Sequence, residues 1–93
     1  MSHQLVFGPK AEEAYESLPL SLLDEFDRHM DRLAESPATV AVPGTFPFPA
    51  NRMVFHFEMS DHTGETWHFV AHFRYGSDEQ TLHVVAITVL PPA

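Results

Sequence analysis

An α+β fold is expected, with two helices packed on one face of a mainly antiparallel sheet in the order β-α-α-β-β-β. Three features of the chain predict it. Apolar residues recur at helical spacing before Pro37. They recur at every second position after Met53, the spacing that puts side chains on one face of a strand. Between these halves lies ATVAVPGTFPFPANR, residues 38–52, whose three prolines and one glycine forbid a long regular element. A chain of 93 residues makes one small domain, marginal in the surface it can bury.

The elements follow in order. Gln4–Phe7 reads as a short strand, ended by Gly8-Pro9. Pro9 suits the first turn of a helix. Ala11, Ala14, Tyr15 and Leu18 then mark one helical face, and Glu12 and Glu13 sit where the helix dipole favours acids. Pro19 ends this helix, since the residue before proline is pushed out of helical geometry. A second helix runs from about Leu20 to about Glu35, with Leu22, Leu23, Phe26, Met30 and Leu33 as its apolar stripe. Ser21 with Asp24 resembles a capping box. Pro37 closes the helix.

The stretch from Met53 to Leu90 organises the rest. Met53, Phe55, Phe57 and Met59 share one face of its first strand; Val54, His56 and Glu58 share the other. Ser60–Glu65 is a turn containing Gly64. In the middle strand Trp67, Phe69, Ala71, Phe73 and Tyr75 face the helices, while Thr66, His68, Val70, His72 and Arg74 face away. Gly76-Ser77-Asp78 is the second turn. The last run, Leu82–Leu90, is apolar on both faces, with Leu82, Val84 and Ala86 on one and Val85, Ile87 and Val89 on the other. Such a strand belongs in the interior of its sheet.

Charge narrows the function classes. Five basic residues face thirteen acidic ones, a net charge of −8 with His neutral. Nucleic-acid binding, which draws most of its affinity from Lys and Arg on phosphates, is disfavoured. A basic partner segment is favoured by complementarity. No apolar run approaches the roughly 20 residues of a membrane span. MSHQLVF lacks the basic and apolar segments of a secretory signal. The absence of cysteine excludes disulfides and thiolate metal sites, and a cytoplasmic protein is expected.

The face turned away from the helices collects the residues able to do chemistry. Alternation puts Glu58, His56, His68, His72 and Arg74 there, with His83 within reach. Glu58 as base with His68 or His72 as acid is one possible use of the set. A shared metal is disfavoured, because His68 and His72 lie about 13 Å apart along a strand. No cofactor is called for. Semi-exposed histidines, hydrogen-bonded or solvated on a sheet, are the plainer reading. In the loop, Phe46 and Phe48 are too apolar for water; with Arg52 they either pack back on the domain or offer a partner surface.

Several segments together resemble the RelE/ParE superfamily of bacterial toxin–antitoxin systems: LVF, AEEAYESLP, RLAESP, WHFVAHF and the final VVAITVLP. The resemblance covers nearly the whole chain. It implies a single domain over residues 1–93, and a small toxin that cuts ribosome-bound mRNA or inhibits DNA gyrase, neutralised by an antitoxin segment. The mRNA-cutting members use cations with Tyr, Glu or His on the open sheet face and after the last strand. Here His68 stands where the family commonly places an arginine, and Leu90-Pro91-Pro92-Ala93 brings no cation after the last strand. Of the family's basic loop only Arg52 is present. Stabilising a pentacovalent phosphate requires cations aimed at the developing charge. The expectation is therefore a toxin-like domain that is catalytically degenerate and binds a protein partner, an antitoxin-like chain or a second copy of itself. The alternatives are a weak ribonuclease or hydrolase using Glu58 and the strand histidines, and a small metal-binding or scaffold domain.

Overall fold

The computed structural model describes residues 2–45 and 48–92. Among the described residues eight elements follow one another: β1 (Gln4–Phe7), α1 (Pro9–Glu16), α2 (Leu20–Glu35), the single turn α3 (Pro37–Val40), β2 (Val42–Pro43), β3 (Met53–Ser60), β4 (Thr66–Tyr75) and β5 (Thr81–Leu90). The strands form one mixed sheet in the order β1-β5-β4-β3-β2, in which only β1 and β5 run parallel. The α+β architecture is the expected one, with α3 and β2 added in the proline-rich segment.

The core lies between the helices and one face of the sheet. Leu22, Phe26, Met30 and Leu33 of α2 meet Phe55, Phe57 and Met59 of β3 and Phe69, Ala71 and Phe73 of β4. Phe57 and Phe69 stack across the strand pair with centroids 5.1 Å apart and planes 6° apart. Phe26 closes on both rings, 5.8 Å from Phe57 and 6.1 Å from Phe69. Trp67 and Tyr75 flank this cluster half-buried.

Two local expectations are corrected. Pro19, not Ser21, is the N-cap of α2, and no side chain caps that end. The capping box does not form, because the helix starts at Leu20 and Ser21 already lies inside it. Pro37 closes α2 as expected, the chain leaving helical geometry at Ser36, and it also opens α3 as its first residue. Strict alternation also fails in β5. His72 pairs with Ala86 but the next residue, Phe73, pairs with Val84, so Val85 is an extra residue in a bulge. The bulge reverses the phase of the strand. Leu82 and Val84 before it, and Ile87 and Val89 after it, all pack on the helical side. Part of what read as a strand apolar on two faces is one apolar face interrupted by a bulge. The strand is nonetheless interior, between β1 and β4.

Candidate functional site

Register fixes what meets on the face away from the helices. Glu58 lies opposite His68, His56 opposite Val70, and Val54 opposite His72. Across the other seam His68 lies opposite Leu90, Val70 opposite Thr88, His72 opposite Ala86, and Arg74 opposite His83.

Glu58 and His68 therefore come together. His68 Nδ1 lies 3.2 Å from Glu58 Oε2, with the two side chains 59% and 64% exposed. An exposed pair of this kind adds at most about 1 kcal/mol to stability. Chemically it is a carboxylate–imidazole dyad in open water, able to pass a proton but without a wall that excludes solvent.

His72 does not join the dyad. It sits four residues further along β4, about 13 Å away, and it is only 9% exposed. The expectation of a semi-exposed histidine is corrected here: β2 pairs with β3 alongside this part of the sheet and Phe48 packs on it, and Val54 and His72 are both buried. The loop docks through Phe48, whose ring centroid stands 5.2 Å from that of His72. His72 Nε2 lies 3.1 Å from Thr88 Oγ1, while its Nδ1 has no partner among the described residues. Burial pushes the His72 pKa down, helped by the charges of Arg52 and His56. The ring is neutral at pH 7, so it serves as a hydrogen-bonding group rather than a cation.

The two arginines of the sheet half, Arg52 and Arg74, lie at the other end of the sheet from the dyad. Arg74 is six residues beyond His68, about 20 Å along the strand. It is exposed beside His83. Arg52 precedes β3, and its guanidinium carbon lies 5.6 Å from the Phe48 ring centroid. Of the proposed partner-binding residues Phe48 and Arg52 thus meet each other; Phe46 lies outside the described residues. Gly44 permits this packing, since a Cβ there would come within 3.2 Å of the Phe48 ring and 3.3 Å of Arg52 Cγ. Among the described residues no three His, Cys, Asp or Glu side chains converge on a possible metal position. Sequence reasoning passed over Thr88, which fixes the His72 ring. The available signal was its place as a polar residue inside an apolar strand.

No family model matches the chain, and no curated protein does. Solved structures do. A chain of the toxin–antitoxin complex RelBE2 from Mycobacterium tuberculosis superposes with a TM-score of 0.72 at 15% identity, covering 94% of this chain and 96% of that one. A free-state mutant of the Escherichia coli toxin RelE follows, with a TM-score of 0.61, 13% identity, and 94% and 82% covered. The archaeal RelE–RelB complex from Pyrococcus horikoshii gives 0.57 at 13% identity over 99% of this chain and 96% of that one. The chain has the RelE toxin fold.

Proposed function

We propose that this chain is a single RelE/ParE-like domain of toxin–antitoxin type, working in the cytoplasm by binding a protein partner rather than by cutting RNA. One observation carries this reading. Among the described residues the one carboxylate–imidazole dyad on the open face, Glu58 with His68, is separated from both arginines of the sheet half by most of the length of the strands. A phosphoryl transition state at the dyad would have no arginine aimed at its charge. The RelB partners named for two of the structural relatives support an antitoxin-like partner, with a second copy of this chain as the other option.

Induction in a bacterial host tests the proposal. Growth should continue and ribosome-bound mRNA should stay intact. Arrest relieved by Glu58→Ala or His68→Ala would overturn it. That result would favour the second reading, a weak ribonuclease or hydrolase, which the 3.2 Å Glu58–His68 contact supports. His68→Arg alone should create no activity, because one cation at the dyad leaves the developing charge mostly unmet.

A further inference from the structure

Between the docked loop and the sheet remains a groove of about 410 Å³. Val42, Gly44 and Phe48 wall it, and Val54, Val70 and His72 form its floor. The volume lies within the roughly 300–1,000 Å³ of ligand pockets, which are typically apolar with a few placed polar groups. His72 supplies one such group. Its Nε2 is engaged by Thr88, but Nδ1 is buried without a partner among the described residues, in a residue that is 9% exposed. Buried ring nitrogens are normally satisfied. A bound backbone N–H or C=O would satisfy this one, according to the tautomer that Thr88 selects. Arg52 Nε is likewise buried and has no partner among the described residues.

The groove's apolar rim is exposed: Val42 is 52% and Phe48 40% accessible. Its electrostatic setting differs from that of the molecule as a whole. All eight acidic residues of positions 1–50 lie on α1 and α2. Four of the remaining five, Asp61, Glu65, Asp78 and Glu79, lie in the two turns between strands. The open sheet face keeps only Glu58, which is already beside His68. Arg52, whose guanidinium carbon lies 5.6 Å from the Phe48 ring centroid, and Arg74, two residues beyond His72 on the same face of β4, flank the groove at this end of the sheet, and neither is ion-paired to an acid among the described residues. The net charge of −8 thus misstates what this surface attracts.

We propose that the groove anchors a leucine- or phenylalanine-sized side chain from an acidic segment of a protein partner, whose carboxylates meet Arg52 and Arg74. The apolar side chain fills the space between Phe48 and the Val54–Val70 floor. The partner's backbone takes His72 Nδ1. This rests on the protein-binding reading above and revises the charge expected of the partner: a basic segment suits the helices, an acidic one the sheet.

The test uses the isotope-labelled full chain and two short synthetic peptides. One alternates Glu with Leu and Phe; the other has Lys in place of every Glu. The acidic peptide should shift the Val54, Val70, His72 and Thr88 resonances, and the basic one should not. Phe48→Ala, a change at an accessible side chain, should weaken acidic-peptide binding at least about tenfold, as expected for an interface anchor. Arg52→Glu should shift preference toward the Lys peptide. Retained amide spectra establish that both variants fold. Binding of neither peptide, equal binding of both, or shifts confined to α1 and α2 would each overturn the proposal. So would phenylacetate binding as tightly as the acidic peptide, which would mark a small-acid site. Cleavage of mRNA in the induction experiment would remove the proposed function without changing the peptide result, so the two failures are distinguishable.

Discussion

Asp61 ties the β3–β4 turn to the strands on either side of it. Its Oδ1 accepts from the Thr63 backbone N–H and hydroxyl and from the Glu65 N–H, and its Oδ2 accepts from Trp67 Nε1 at 2.9 Å. The hydrogen bonds from Thr63 and Trp67 hold its carboxyl well below the usual carboxylate range. Asp61→Ala should lower the melting temperature and red-shift the emission of Trp67, the only tryptophan, as its indole N–H turns to water. Asp61→Asn should restore part of the stability but not the emission, because an amide cannot supply both acceptor oxygens. Unchanged emission in Asp61→Ala would show that the indole is held by packing alone. Phe69 works differently, by volume. It is 1% exposed and stacks on Phe57, so Phe69→Ala should cost about 3–5 kcal/mol in a denaturant titration. Against the roughly 5–15 kcal/mol of a whole domain, that leaves a marginal fold. A cost below about 1 kcal/mol would mean that the core collapses into the gap.

Elements with an unbroken period were legible in the sequence. α2 begins at Leu20 and ends at Glu35, and β1 spans Gln4–Phe7, where their apolar spacing put them. The face carrying Glu58 and His68 was legible for the same reason, since alternation holds through β3 and up to His72 in β4. What escaped were features that depend on register and on tertiary cover. The bulge at Val85 leaves no mark in an all-apolar run, because either phase reads as hydrophobic. The opposition of Glu58 to His68 required knowing the length of the turn between them. His72 looked like its neighbour His68 until β2 and Phe48 covered it. A proline-rich loop does not announce which face it will close over. The groove is built from that loop, so it was the least legible part of the site.

At the scale of the whole molecule, acid should destabilise the fold in two stages of the same sign. Burial lowers the pKa of His29, which stacks 4.7 Å over Phe57, with the nearby Arg32 and Arg28 charges acting in the same direction and Glu25 opposing. Burial does the same to His72. For each, the unfolded chain holds more protons than the native one as pH falls below the ordinary value of 6.5. Their contribution is present above that value and is lost on acidification. Asp61 and Asp78 are also lowered, Asp78 chiefly by the Gln80 backbone N–H. Their contribution is present above 3.8 and disappears as pH falls further. One effect opposes the first stage: protonation relieves the repulsion within a net charge of −8. That repulsion is spread over exposed carboxylates and is screened by salt, whereas burial of a neutral imidazole is not. Denaturation midpoints measured from pH ~8 to ~3 in about 0.15 M salt should therefore fall through the histidine range and fall again through the carboxylate range. Changing His29 and His72 together to Gln should flatten the upper step and leave the lower one. A midpoint that rises between pH ~7 and ~5 in that salt would mean that charge relief outweighs the half-buried His29 ring and the buried His72 ring together.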